Sequence, residues 1–178
     1  MEEAGRNPRR ENHGNPKDYF FKTWADYKEG FGDLQKQFWL GNDRIYALAN
    51  RGNYSVRFGL KDKDGNERFA IYREFWIENE DYLYRLHVSN YSGDAEDGFS
   101  GHNEFSFSTK DKDNDIYETS CAQTFKKAWW YDKCHSYNLN GLYLNGEHDS
   151  YADGVEWSTW KGQKYSLPHV EMKIRPPY

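Results

Sequence analysis

Hydrophobic and polar residues alternate between residues 54 and 88, and this period of two predicts β-strands. One side of the first strand carries Tyr54, Val56, Phe58 and Leu60. Residues 63–66 (Lys-Asp-Gly-Asn) supply turn chemistry, and residues 82–88 alternate again as a third strand. The return strand between them places four apolar residues on one face: Phe69, Ile71, Phe75 and Ile77. We therefore predict an antiparallel meander with one face packed against helices.

Two short helices are predicted before this meander. One face of the first carries Trp24, Tyr27, Lys28 and Phe31. Asn42, behind Gly41, is placed to cap a second helix over residues 43–49. Residues 1–14 contain almost nothing apolar and are predicted to be a flexible lead-in.

Regular patterns fade after Gly93. Residues 93–165 are dense in Gly, Asn, Asp, Ser, Trp and Tyr, and residues 165–175 are expected to be extended. Four tryptophans argue against disorder because such rings pack: Trp129, Trp130, Trp157 and Trp160. We predict one α+β domain over residues 15–178, with helices and sheet in 15–92 and a loop-rich lobe in 93–178.

Composition narrows the function classes. The chain has 178 residues, of which 19% are aromatic and 37% hydrophobic, so it carries enough rings to fold. The net charge is -5 and no basic stripe is present, so nucleic acid is not an expected partner. No apolar stretch approaches the roughly 20 residues that cross a bilayer, and no signal-peptide core follows Met1, so no membrane insertion is expected.

Two features have chemistry with open alternatives. Asp111, Asp113 and Asp115 alternate, which suits either a cation-binding loop or a solvated surface loop. Cys121 and Cys134 could form one disulfide or be two unrelated buried thiols.

Two Asn-x-Ser tripeptides begin at Asn53 and Asn90 and match the acceptor pattern for N-linked glycans. An EF-hand starting at Asp62 is excluded, because the sixth and twelfth residues would be Glu67 and Arg73 instead of glycine and glutamate.

Several strings occur in order and with characteristic spacing over residues 15–176: YKEGFG at 27–32, FWLGND at 38–43, STKDKDND at 108–115, CA at 121–122, AWW at 128–130, KCH at 133–135, LNGLY at 139–143, YADG at 151–154, Trp157, and WKG at 160–162. Together they resemble the fibrinogen-related (fibrinogen C-terminal-like) domain, especially the tachylectin-type and ficolin-type lectins. The resemblance implies a twisted antiparallel sheet, short helices and a loop-rich lobe for calcium and ligand. Family members usually begin with a further cysteine-bearing segment, so the chain is expected to be either truncated or atypical.

The resemblance also implies a metal site and a disulfide. Calcium would be held by the side chains of Asp113 and Asp115 and by main-chain carbonyls near Tyr117 and Thr119. Cys121 would pair with Cys134. The rival metal is zinc held by Cys121, Cys134, His135 and His148, which the lack of a C-x-x-C pair weakens.

A pocket for acetamido groups is implied beside this lobe. It would be built around a cis peptide at Lys133-Cys134, with the N–H groups of Cys134 and His135 turned toward a ligand carbonyl. The residues implied to line it are Phe125, Cys134, His135, Tyr151 and, through its backbone, Ala152. Gln163 occupies a wall position where tachylectin-type members have tyrosine, and Tyr165 is a candidate replacement ring.

These implications lead to a functional hypothesis. We expect a secreted, calcium-dependent lectin that recognises N-acetyl groups such as those of N-acetylglucosamine on glycans, in innate immune pattern recognition, and that forms homo-oligomers in its full-length context. The alternative is an extracellular fibrinogen-like module that binds a protein partner. Catalysis is not expected, because no nucleophile elbow, phosphate loop or HExxH motif is present.

Overall fold

The structure is a computed structural model and describes residues 2–7, 15–134 and 137–176. Its strands are β1 (Glu2–Asn7), β2 (Phe31–Gly32), β3 (Phe38–Trp39), β4 (Ser55–Lys61), β5 (Glu67–Ile77), β6 (Leu86–Gly93), β7 (Phe107–Ser108), β8 (Trp129–Trp130), β9 (Tyr137–Asn138), β10 (Gly146–Glu147), β11 (Glu156–Trp157), β12 (Tyr165–Ser166) and β13 (His169–Arg175). Its α-helices are α1 (Trp24–Glu29), α2 (Asn42–Ala49), α3 (Cys121–Thr124) and α4 (Ser158–Lys161), and two single 3₁₀ turns cover Glu80–Tyr82 and Ser100–His102. No described helix is long and apolar enough to cross a membrane.

One seven-stranded sheet with the order β2-β3-β1-β13-β4-β5-β6 forms the frame of the molecule. The meander β4-β5-β6 is confirmed, and Val56, Phe58 and Leu60 face inward from β4 as predicted. β13 lies in the middle of the sheet, antiparallel to both β4 and β1. The predicted extended segment is therefore a central strand, and its burial depends on β1 near the start of the chain and on β4.

The predicted inward face of β5 is wrong in its first half. Ala70 and Tyr72 are buried there instead of Phe69 and Ile71, and the inward face changes phase before Phe75 and Ile77. The cause is a shift in pairing with β4: the register Val56↔Tyr72 is followed by a hydrogen bond from Phe75 N–H to the carbonyl of Tyr54, one residue out of step. Such a bulge exchanges the faces of the strand.

The flexible lead-in predicted for residues 1–14 is also corrected. Glu2–Asn7 form β1, which pairs with β13 on one side and with β3 on the other. Residues 1 and 8–14 lie outside the described residues. Composition did not show this strand because its stability comes from the unpaired edge of β13, whose backbone groups need hydrogen-bond partners.

The two predicted helices are present, but the first ends at Glu29, and Phe31, predicted on its face, lies in β2. Thr23 caps α1 in a capping box with Asp26. The cap predicted for α2 is wrong: Asn42 is the first helical residue and accepts a hydrogen bond from Trp39 Nε1 at 2.9 Å, while Gly41 occupies the N-cap position. Gly41 has φ 106°, and a Cβ there would lie 2.6 Å from the carbonyl oxygen of Glu29, so glycine lets α1 and α2 meet closely.

A continuous aromatic core joins the sheet to the loop-rich lobe. Phe58 of β4 contacts Phe99 and Trp157 of the lobe, with ring centroids 4.8 and 5.5 Å apart. Trp129 and Trp130 are also buried, which confirms the prediction that the tryptophans of the lobe pack. Apart from β13, the strands that the structure describes in the lobe have only two residues each, so these rings and the loop contacts hold the lobe in place.

Candidate functional site

Asp111, the first carboxylate of the acidic loop, has a structural role at the start of α1. It accepts hydrogen bonds from the N–H of Trp24 and from Thr109 Oγ1, both at 2.8 Å. Lys112 places its ammonium 4.1 Å from the centre of the Trp24 ring. The acidic loop is thus fastened to the start of α1, and only Asp113 and Asp115 remain for a cation.

The carboxyl groups of Asp113 and Asp115 organise the rest of this loop. Asp115 N–H donates to Asp113 Oδ1 at 3.3 Å. The two oxygens of Asp115 accept from Tyr117 N–H at 3.0 Å and from Cys121 N–H at 2.9 Å. Burial raises the pKa of Asp115, and the nearby charge of Asp113 raises it further. Neither carboxylate has an ion pair with a cationic side chain in the described part of the chain.

This donor set fits a hard cation and not zinc. It offers two carboxylates, and the main-chain carbonyls of Tyr117 and Thr119 accept no backbone hydrogen bond from the described residues. Oxygen donors of this kind suit calcium. Within residues 2–7, 15–134 and 137–176 no group of three or more His, Cys, Asp or Glu side chains could hold a metal, so calcium binding would depend on the carbonyls.

Cys121 and Cys134 form a disulfide, with their Cα atoms 5.0 Å apart. This confirms the pairing and removes both thiolates from the zinc alternative. Cys121 begins α3 and both cysteines are buried, so the bridge ties this helix to the loop before β9. Closing a loop of this length stabilises the fold by about 3 kcal/mol in the chain-entropy description.

The cis peptide predicted at Lys133-Cys134 is not present, since all described peptide bonds are trans. The chain turns at this point through a left-handed Cys134 with φ 75°, next to a bridge between Asp132 and Cys134. His135, the predicted second donor and wall, lies outside the described residues.

The other predicted pocket residues fall on two segments of the lobe. Phe125 is half-buried directly after α3, and its N–H donates to the carbonyl of Cys121 at 3.0 Å. Tyr151 is 60% exposed, as a contact residue for a ligand would be. Ala152 N–H donates to the carbonyl of Gln163 at 2.9 Å, so the backbone group that Ala152 retains for a ligand is its carbonyl.

Three of the nine non-glycine residues with positive φ in the described part of the chain lie at these positions. Lys126, Cys134 and Ala152 have φ of 53°, 75° and 57°, and none of them is glycine. Such conformations are costly for residues with a Cβ and persist where the surrounding structure enforces them, frequently at binding sites. The three lie next to, or at, predicted contact residues.

A buried ion pair that the sequence did not reveal connects the two segments. Lys127 Nζ lies 3.8 Å from Glu156 Oε2, and both side chains are 0% exposed. The same ammonium is 5.6 Å from the ring centre of Phe125. Burial lowers the pKa of Lys127 to about 8 and raises that of Glu156 to about 7, each shift being opposed by the partner's charge. The only sequence signal was the position of Lys127 directly before the buried run 128–130.

Tyr165 lies in a different environment from the other predicted wall residues. Its hydroxyl accepts from Lys63 N–H at 2.9 Å, and Lys161 Nζ is 5.2 Å from its ring centre. It lines a surface recess of about 660 Å³ together with Trp160 and Lys161. None of the recorded contacts of Tyr165 involves Phe125, Cys134 or Tyr151.

Residues 9–177 match the family model described as "Fibrinogen beta and gamma chains, C-terminal globular domain". The chain belongs to this fibrinogen family. The predicted fold class is therefore confirmed. The fibrinogen-like chain is 67% identical to Techylectin-5A of Tachypleus tridentatus over 168 residues, which is 94% of this chain and 58% of that protein. It is 48% identical to Ryncolin-4 of Cerberus rynchops over 158 residues, covering 88% of this chain and 46% of that protein.

A solved structure shows the same fibrinogen-like architecture. The lamprey fibrin D-dimer, complexed with the peptide ligand Gly-His-Arg-Pro-amide, superposes with a TM-score of 0.89 at 33% sequence identity, covering 99% of this chain and 62% of that one. The fibrinogen-like chain thus spans about half the length of the curated relatives it matches.

Proposed function

We propose that this fibrinogen-like domain is a calcium-dependent lectin that binds N-acetyl groups, such as those of N-acetylglucosamine, on glycans outside the cell. The observation that carries the proposal is the 67% identity to Techylectin-5A across 94% of the chain. The proposal extends to innate immune recognition and to a homo-oligomer in the full-length protein. The site acts by binding and has no catalytic step.

The proposed pocket combines apolar walls with backbone hydrogen bonds. Phe125 and Tyr151 would receive the methyl of the acetyl group, with His135 as a further wall. The N–H groups of Cys134 and His135 would donate to the acetyl oxygen, and the carbonyl of Ala152 would accept from the amide N–H. The Ala152 N–H is already bonded to the carbonyl of Gln163, so the carbonyl of Ala152 is the backbone group left for the ligand.

The energetics of such a pocket favour multivalent binding. A buried methyl contributes about 0.8 kcal/mol, and each of two or three hydrogen bonds contributes about 0.5–1.5 kcal/mol. The sum corresponds to a dissociation constant of about 1 mM for one site. Several sites on one oligomer would raise the avidity by a factor of about 10²–10⁴ without any new contact.

Calcium would be held by Asp113 and Asp115 with the carbonyls of Tyr117 and Thr119. When bound, it supplies positive charge that neutralises the two adjacent carboxylates. The loop residues supply the connection to the pocket: Asp115 Oδ2 accepts from the N–H of Cys121, and Cys121 is bonded to Cys134. Asp115 and Cys121 therefore connect the acidic loop to the proposed hydrogen-bond donor at Cys134.

Retention on an N-acetylglucosamine or acetylated resin tests the lectin proposal. We expect the folded domain to be retained in calcium and released by chelator or free acetate. Tyr151→Ala should abolish retention, because it removes an exposed wall. Tyr82→Ala is the matched control: Tyr82 is 62% exposed against 60% for Tyr151, but it belongs to the 3₁₀ turn Glu80–Tyr82 away from the predicted pocket residues. A folded domain that passes through the resin in calcium would refute the proposal.

Thermal unfolding in calcium and in chelator tests the metal separately. We expect calcium to raise the melting temperature of the natural chain and to leave that of Asp113→Asn/Asp115→Asn unchanged. Asp111→Asn is the control, because Asp111 caps α1: it should lower the melting temperature but keep the response to calcium. If the natural chain melts at the same temperature in calcium and in chelator, the ion assignment is wrong.

A protein-binding module is the second candidate function. Gln163 replaces the tyrosine of tachylectin-type members, and the lamprey relative is complexed with a peptide ligand. Calorimetric titration with Gly-His-Arg-Pro-amide and with N-acetylglucosamine separates the two candidates. Heat from the peptide alone, with no acetyl-resin retention, would favour the module.

A further inference from the structure

A surface recess of about 330 Å³ lies between the turn before β4 and the middle of β5 and β6. Asn53, Arg73, Trp76 and Asn90 are among the residues that line it. All its lining residues come from the meander and the turn before it, so it shares none with the acidic loop or the proposed acetyl pocket. A recess of this size accommodates a small polar group such as one or two sugar rings.

The only two Asn-x-Ser/Thr tripeptides of the sequence meet at this recess. They are Asn53-Tyr54-Ser55, which leads into β4, and Asn90-Tyr91-Ser92, which lies in β6. Antiparallel pairing of β5 with both β4 and β6 brings the two segments to one face, and both acceptor asparagines line the same recess. Two acceptor tripeptides that arose by chance would have no reason to lie at the same recess.

Both asparagines are available for modification. Each is exposed, and neither carboxamide is hydrogen-bonded to the described residues. Asn90 has φ 61°, and the β5–β6 pairing omits it, passing from Tyr72↔Tyr91 to Glu74↔Ser89. A left-handed asparagine inside a strand also has a structural explanation, because Asn adopts this conformation more readily than most residues.

The surroundings of Asn90 are suited to a covering glycan. β6 is the last strand of the sheet, and residues 103–105 cover its first part through bonds to Leu86 and Val88. The next part, around Asn90, has no such cover among the residues described. Unprotected strand edges invite pairing with other chains. Trp76, 40% exposed and stacked on His87, presents an aromatic face beside it.

We propose that Asn53 and Asn90 both carry N-linked glycans and that this recess is the glycan-bearing face of the domain. The donor is a lipid-linked oligosaccharide diphosphate of the secretory pathway. The carboxamide Nδ2 forms a bond to C1 of the first sugar and loses one proton, while the bond from C1 to the diphosphate oxygen breaks and the lipid diphosphate leaves. The proposal rests on the extracellular location in the proposed function.

The test uses the full chain secreted from insect or human cells behind a cleavable signal peptide. We expect the intact mass to include two core glycans, and peptide N-glycosidase to remove both and leave aspartate at Asn53 and Asn90. Ser55→Ala and Ser92→Ala should each remove one glycan. These serine variants are preferred to asparagine variants because they keep the left-handed Asn90.

Ser89→Ala is the matched control, since Ser89 lies on the same strand outside the tripeptide, and it should keep both glycans. A secreted chain with one glycan or none would overturn the proposal, as would two glycans persisting in Ser55→Ala or Ser92→Ala. Acetyl-resin retention of the same samples separates the two proposals. Retention of a chain without glycans refutes the glycosylation proposal alone, and glycans on a chain that is not retained refute the lectin proposal alone.

Discussion

Replacing Lys127 by methionine should destabilise the domain more than any exposed charge change. Lys127 and Glu156 lie at 3.8 Å with both side chains at 0% exposure, so no water can replace the lost ammonium. The methionine variant leaves Glu156 buried without its cationic partner, and Glu156→Gln leaves Lys127 buried without its anionic partner. The remaining group must then stay charged in a buried position or change its protonation state. A lone buried charge is much costlier than a buried pair.

The magnitude follows from the separation of the two groups. At an effective dielectric constant near 20, unit charges about 4 Å apart attract by about 4 kcal/mol. Removal of one partner from a buried pair costs about 3–5 kcal/mol in measured cases, whereas replacement of both partners is frequently close to neutral. We therefore expect about 3–5 kcal/mol for each single variant and a double variant far less destabilised than their sum.

Urea denaturation of the oxidised protein at pH 7 measures this coupling. The set is the natural chain, Lys127→Met, Glu156→Gln, the double variant, and Lys126→Met as the control. Lys126 is the exposed neighbour with no recorded ion pair in the described part, so its change should stay within about 0.5 kcal/mol. The argument would be refuted if the double variant lost the sum of the two single-variant free energies of unfolding, or if the single variants were destabilised no more than Lys126→Met.

Two further predictions concern Gln163 and Asp62. Gln163→Tyr should strengthen retention on acetyl resin by about 2–10-fold, because an aromatic contact adds about 0.5–1.5 kcal/mol; unchanged or weaker retention would contradict this role of the missing ring. Burial by itself would raise the pKa of Asp62, but Lys161 at 2.8 Å and the bonds from Asn66 hold it at about 2. Because this pKa lies below the unfolded value of 3.8, the carboxylate's contribution is complete above pH 3.8 and is lost as the pH falls toward 2. Asp62→Asn should lower the free energy of unfolding in urea by on the order of 1 kcal/mol at pH 6, and this difference from the natural chain should disappear as the pH falls below 3.8. A difference that does not change with pH would refute the prediction. Asp64→Asn serves as the exposed control.

Local order was predictable where a residue's neighbours in sequence are also its neighbours in space. Alternation predicted β4 and its inward face correctly, and helical spacing predicted α1. The same reasoning failed in β5, because its inward face depends on a one-residue shift against β4 that alternation does not record. It failed at β1, because this strand exists through its pairing with β13 at the far end of the chain.

The site divides in the same way. Alternation of the carboxylates suggested a cation-binding loop, and the family resemblance implied Asp113 and Asp115 as its ligands. The resemblance also implied the pairing of Cys121 with Cys134, which the structure confirms.

The fold alone assigned Asp111 to the cap of α1 and placed Lys127 against Glu156. It alone brought the two Asn-x-Ser tripeptides to one recess. In each case the partners are far apart in sequence, and the free energy of their contact comes from the burial and pairing that only the assembled sheet and lobe provide.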